Sequence, residues 1–155
     1  MPNNHKFSLG ATMSSNLATV QHIYAEFAKG NVAPLLEACA DDVRWDEWAD
    51  NSSQKANVPW MLPRFGKEGV MAWLNVFAAM KLNNFQVLSL MEGGNQVASE
   101  IVIDVEAAPG GRYRDEEIIL WTFNDAGKIV RLRHYTDTAK HIAAARTSVN
   151  ALPTG

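Results

Sequence analysis

The chain has 155 residues, 47% hydrophobic and 20% charged, with a formal net charge of -3. This is the size and composition of one globular domain with a real core. A count of 14 Lys and Arg against 17 Asp and Glu, without a basic cluster, argues against a nucleic-acid surface, and no apolar run reaches the ~20 residues of a membrane span.

The single Cys39 excludes an internal disulfide and fits a reducing, cytoplasmic setting. Tryptophan is over-represented, with five residues at positions 45, 48, 60, 73 and 121. So much indole suggests an aromatic cavity or an interface, or else fills a core.

Residues 1–15 carry no apolar stretch of signal-peptide type and read as a flexible leader. The domain proper is expected over 16–147, with a frayed tail over 148–155. Ser14, Ser15 or Asn16 can cap a first helix to about Lys29, because Leu17, Val20, Tyr24 and Phe27 recur at helical spacing. Gly30-Asn31 stops it. A short helix from Val32 to Ala40 follows, with Pro34 in its first turn.

Asp41-Asp42 opens a strand expected over Val43 to Trp48, with Val43, Trp45 and Glu47 on one face. Residues 49–65, with Pro59-Trp60-Met61-Leu62-Pro63, fit either a mobile lid or a packed crossover. A third helix, about Glu68 to Met80, buries Val70, Trp73, Leu74 and Phe77.

Strands then follow over Asn84 to Glu92, Gln96 to Ala107 and Arg112 to Phe123, joined by glycine-rich turns. The second has Ser99, Ile101, Ile103 and Val105 on an apolar face. The third alternates Glu117, Ile119, Trp121 and Phe123 on one face. The Asn124–Gly127 turn leads into the last strand. Its Val130, Leu132, His134 and Thr136 point one way, and its Ile129, Arg131, Arg133 and Tyr135 the other. His134 is thus the ionisable group aimed at a core or a pocket. Asp137-Thr138 caps a final helix, about Ala139 to Thr147.

Helices first and strands grouped after them indicate an α+β fold. Three N-terminal helices against a curved, mostly antiparallel sheet make a cone with an apolar interior.

The order of elements resembles the nuclear transport factor 2-like superfamily, and within it the SnoaL-like proteins related to ketosteroid isomerase. The matching pieces are Ile23 to Asn31, Ala40 to Trp45, Gly127 to Arg131 and Arg133 to Thr138. The resemblance implies the cone fold, an interior site for a small apolar molecule, no cofactor, and a homodimer paired through the open sheet face. In ketosteroid isomerases the base lies five residues beyond the second Asp of the Asp-Asp pair, which here is Glu47. Their oxyanion-hole positions fall on Ile23 and Ile119, with Tyr24 one place away. In limonene-epoxide-hydrolase-like members an aspartate stands where His134 stands here. Their Glu-Arg-x-Asp strand motif is matched only in its first residue, by Glu100 in Glu100-Ile101-Val102-Ile103.

These residues set the chemical expectation. His134 is the candidate base or acid, since imidazole titrates near neutrality. Glu47 is its candidate partner and Tyr24 a possible donor to a substrate oxygen. Trp45, Trp60, Trp73, Phe77, Ile101, Ile103, Glu117, Ile119, Trp121 and Leu132 are candidate cavity walls. For each, ordinary core packing or a solvated strand end is the competing reading. His5, His22 and His141 lack metal-ligand spacing, so no metal is expected. The functional expectation is a cofactor-independent isomerase, cyclase or dehydratase acting on a small apolar carbonyl or polyketide-like compound. The alternative is a non-catalytic binding or interaction domain of the same fold.

Overall fold

The helical spacing of Leu17, Val20, Ile23 and Tyr24 builds the first helix, α1 (Ser15–Phe27), which buries Val20 and Ile23. Gly30, at φ 80, turns the chain out of it. Pro34 sits in the first turn of α2 (Ala33–Ala38). The structure is a computed structural model that describes residues 15–107 and 110–150.

The remaining elements are β1 (Cys39–Trp45), α3 (Ser52–Lys55), β2 (Arg64–Phe65), α4 (Gly66–Ala78), β3 (Lys81–Gly93), β4 (Gln96–Ala107), β5 (Gly111–Phe123), β6 (Ile129–Tyr135) and α5 (Thr138–Asn150). The strands form one six-stranded sheet in the order β2-β1-β6-β5-β4-β3. Neighbours are antiparallel except β1 and β6, which run parallel. The chain is therefore an α+β protein with a mixed sheet.

Helices α1, α4 and α5 pack against strands β3 and β4, β1 and β2, and β5 respectively. The alternation along β5 shows which residues face them. Tyr113, Asp115, Glu117, Ile119, Trp121 and Phe123 are buried, whereas Arg112, Arg114 and Glu116 are exposed. Trp45, Phe123, Ile129, Leu132 and Val43 are almost completely buried. Burial of each such side chain stabilises the fold by about 1.5–3 kcal/mol.

Two local expectations are corrected, and one that the sequence left open is decided. The first strand ends at Trp45, not Trp48. Asp46 takes φ 51 and turns the chain away, so Trp45 and Glu47 do not share a face. Residues 49–65 are a packed crossover that contains α3, a 3-10 turn over Pro59–Met61 and the short β2. Trp60 and Met61 are buried in it, and the Gln54 amide ties it down by donating to the carbonyls of Asp46 and Met61. In β6, Ile129 faces the core with Leu132 and His134, because Thr122 pairs with Arg131 but Phe123 pairs with Ile129. That bulge, two residues against one, resets the alternation at Val130.

Gly66 begins α4 at φ 69, and a Cβ there would lie 3.3 Å from the Asp41 carbonyl oxygen. Glycine meets both constraints. The last helix runs on through Asn150. Residues 1–14 of the expected leader, 151–155 of the expected tail, His5 and Pro109 lie outside the described residues.

Candidate functional site

The inner sheet face and the helices surround an apolar cavity of about 70 Å³. Tyr24, Trp45, Trp60, Trp73, Phe77, Ile101, Ile103, Glu117, Ile119, Trp121, Leu132 and His134 all line it. Glu47 does not. Its side chain is 40% exposed and lies 3.7 Å from the Arg44 guanidinium.

His134 reaches the cavity from β6 between two indoles. Its ring centroid is 5.9 Å from Trp45 and 5.5 Å, stacked, from Trp73. Its partner is Asp46. One carboxylate oxygen accepts the His134 backbone N–H and the other bonds Nδ1, each at 2.8 Å. Asp46 is fully buried, and its own N–H donates to the Leu132 carbonyl at 2.9 Å.

A carboxylate can only accept, so Nδ1 carries the proton and the neutral ring presents its Nε2 lone pair. Among the described residues Nε2 has no hydrogen-bond partner. Burial works against charge on this ring. The Asp46 carboxylate, through its charge and its hydrogen bond, and the Glu117 charge outweigh burial and hold the pKa above the ordinary histidine value.

The resemblance to ketosteroid isomerases points to Glu47, and a straight strand carries Trp45 and Glu47 on one side. The left-handed conformation at Asp46, which aspartate tolerates better than most residues, brings that side chain inward instead. The adjacent Asp46 in Trp45-Asp46-Glu47-Trp48 was the available signal.

A second buried cluster joins Glu117, a sequence candidate, to Asp115 and His141, which sequence reasoning missed. His141 of α5 is 1% exposed. Its Nε2 lies 2.8 Å from Asp115 and 3.3 Å from Glu117, both on β5. Its Nδ1 accepts the Trp60 indole N–H at 2.9 Å, and Tyr113 packs on its ring at 4.1 Å between centroids. Burial again opposes charge, but the hydrogen bonds to Asp115 and Glu117 push the pKa up to about 9. Burial also acts against an ionised Asp115. The His141 N–H and the backbone N–H groups of Asp137 and Glu116 overcome it, so that carboxyl sits below its usual range.

Asp115, Glu117 and His141 place three possible metal-ligand atoms within 4.8 Å of one another. The hydrogen-bond directions do not suit a cation there. Trp60 N–H can only donate, so Nδ1 offers its lone pair and Nε2 holds the ring proton. A cation on Nε2 would displace that proton and leave an imidazolate. The set is better suited to holding a proton. Its signal in the sequence was slight, because Asp115, Glu117 and His141 come together only when α5 folds back on β5.

Tyr24 is wired differently from the sequence expectation. Trp121 Nε1 donates to Ser99 Oγ at 3.1 Å, and the Ser99 hydroxyl donates to the Ile119 carbonyl at 3.3 Å. With the Ser99 proton assigned to the Ile119 carbonyl, the 2.7 Å bond between Tyr24 and Ser99 carries the Tyr24 proton. Tyr24 offers the cavity a lone pair, not a proton. Burial also raises its pKa, which keeps it a neutral phenol.

The model of the SnoaL-like domain family matches residues 20–132. No curated protein matches the chain. A crystal structure of an NTF2-like protein of unknown function from Burkholderia pseudomallei is similar at 22% identity and a TM-score of 0.69, over 86% of this chain and 98% of that one. TerC co-crystallised with polyporic acid is similar at 20% identity and a TM-score of 0.66, over 86% and 99%. RV0760c from Mycobacterium tuberculosis, in complex with estradiol-17beta-hemisuccinate, is similar at 22% identity and a TM-score of 0.62, over 78% and 92%. At these identities the structural likeness speaks for the fold.

Proposed function

Since this chain belongs to the SnoaL-like domain family, we propose that its cavity is the active site of a cofactor-independent acid/base enzyme. The observation that carries the proposal is the Asp46–His134 dyad, with Nε2 unpartnered among the described residues, in an apolar cavity. His134 acts as the base. Its Nε2 takes a proton from carbon beside a carbonyl, and the imidazolium that forms is stabilised by Asp46. Trp45, Trp73 and Phe77 hold a flat apolar substrate against the ring and keep water out. The chemistry is of the isomerase, cyclase or dehydratase type, on a small carbonyl or polyketide-like compound.

Two neighbours support the ligand class, since one was crystallised with an estradiol derivative and another with polyporic acid. The buried free thiol of Cys39 fits a cytoplasmic setting. Homodimerisation through the open sheet face is part of the same proposal, and half-buried Ile118 and Leu120 on that face support it.

One observation favours the alternative of a non-catalytic binding domain. The positions that hold the oxyanion hole in ketosteroid isomerases are Ile23 and Ile119 here, and Tyr24 gives its proton to Ser99. Deuterium exchange distinguishes the two readings. A panel of flat aryl ketones is incubated with the protein in heavy water and followed by NMR. Loss of the proton beside the carbonyl, faster by about 100- to 10,000-fold with the protein and abolished in His134→Gln, supports catalysis. Ligand binding without exchange on any ketone supports the binding domain.

A further inference from the structure

The polar hydrogens of the cavity wall are nearly all committed within the protein. Trp73 N–H goes to the Trp60 carbonyl at 3.1 Å, Trp121 N–H to Ser99 and, while His141 is neutral, Trp60 N–H to His141. The Tyr24 proton goes to Ser99 as well. Trp45 Nε1 has no partner, but it is shielded from open space. With His134 and His141 neutral, the Tyr113 hydroxyl is the one cavity-facing donor among the described residues left without a hydrogen-bond partner.

The acceptors are in the opposite position. Glu117 is 5% exposed and lines the cavity. Its one partner among the described residues is His141 Nε2, at 3.3 Å, and that nitrogen lies closer to Asp115 at 2.8 Å. The second Glu117 oxygen has no partner among the described residues. A buried carboxylate in an apolar cavity is costly unless donors reach it. A ligand O–H would supply the missing bond, and a charge-assisted bond is roughly twice as strong as a neutral one. The Tyr24 oxygen, which lines the cavity from α1, can accept as well as donate.

We propose that this cavity selects its ligand by hydroxyl groups. It takes a flat apolar molecule with at least two O–H donors, one bonded to the Glu117 carboxylate and another to the Tyr24 oxygen, with room for one carbonyl oxygen at Tyr113. This inference rests on the reading of the cavity as a ligand site. It narrows the substrate class from any apolar carbonyl compound to a polyhydroxylated one, and makes Glu117 the residue that sets specificity.

The test compares a naphthalenediol, its dimethyl ether and the matching diketone by isothermal titration calorimetry on the unaltered protein at one neutral pH. The diol binds at least about tenfold tighter than either analogue, as one hydrogen bond to a charged group implies. In Glu117→Gln, whose carboxamide can donate, the diol loses about tenfold and the diketone gains. Ether or diketone binding as tight as the diol overturns the proposal, as does an unchanged preference in a folded Glu117→Gln. Absence of binding by the whole set overturns it together with the ligand-site reading. Diol-selective binding without deuterium exchange on any ketone upholds it and overturns catalysis alone. The ligand comparison needs no variant, so it stands whether or not Glu117→Gln folds.

Discussion

Asp46 holds His134 at two points. One carboxylate oxygen accepts the backbone N–H and the other bonds Nδ1, both at 2.8 Å. The backbone bond fixes where the residue sits and the Nδ1 bond fixes which nitrogen is basic. Both require an acceptor side chain at φ 51, just beyond the end of β1, and only a carboxylate puts an acceptor oxygen on each.

Asp46→Asn tests that arrangement. Asparagine tolerates the left-handed backbone and can still accept the backbone N–H. Its amide can no longer hold the ring as Asp46 does, and the pull that raises the His134 pKa is lost. Deuterium exchange falls by about 100- to 10,000-fold, while urea denaturation shows a loss of about 1–3 kcal/mol. Asp46→Ala adds backbone strain of about 1–2 kcal/mol at that φ and is the less stable of the two. Equal exchange rates in Asp46→Asn and the unaltered protein would remove Asp46 from the mechanism.

The pH dependence follows from the two raised histidines. A group whose pKa is higher folded than unfolded contributes stability that is fully present below its unfolded value and is lost as pH rises through the folded one. For His141 the window runs from about 6.5 to about 9. Urea midpoints therefore decline across it, and His141→Gln flattens the decline. Catalysis by His134 needs the neutral ring, so exchange rises with pH and its midpoint lies above 6.5.

His141 and Trp60 report on each other. The Trp60 N–H needs the Nδ1 lone pair, and a protonated ring would set N–H against N–H. Charging His141 therefore breaks the Trp60 bond, and the two carboxylates on Nε2 favour that step. Tryptophan emission changes as pH falls through about 9, and the change disappears in His141→Gln. An emission profile that is the same in both proteins would break the link.

Tyr24→Phe removes a hydroxyl that donates to Ser99. Ser99 Oγ still accepts from Trp121 and donates to the Ile119 carbonyl, so no buried proton is stranded. The cost is about 1 kcal/mol in thermal or urea unfolding. Exchange on a ketone without hydroxyls is unaffected, because Tyr24 gives it no proton. A large fall in that rate would restore Tyr24 as a donor.

The open sheet face gives the last prediction. Ile118 and Leu120 of β5 are only half-buried there, and Tyr135 of β6 is 41% exposed. The bidentate Arg112–Asp104 pair lies further along the same face. Sedimentation shows a dimer, and Leu120→Glu, which would desolvate a charge at the interface, converts it to monomer. A monomer in the unaltered protein rules the dimer out.

Much of this site could be read from one dimension. The alternation in β6 put His134 on the face of Leu132, and β5 put Glu117 with Ile119 and Trp121. Helical spacing placed Tyr24, Trp73 and Phe77 on buried stripes. These are local periodicities, and each side chain's direction follows from its own strand or helix. The error at Glu47 came from extending a period past the point where the backbone breaks it.

By itself the sequence determined the α+β order, the apolar faces and the histidine that looks inward, because hydrophobic period fixes facing within an element. Only the tertiary structure decided the partners. Asp46 meets His134 across 88 positions and His141 meets Asp115 across 26. The direction of the Tyr24 proton depends on Ser99, Trp121 and Ile119 together. Such contacts depend on which strands pair, where one bulges and how a helix folds back, and those are properties of the assembled sheet.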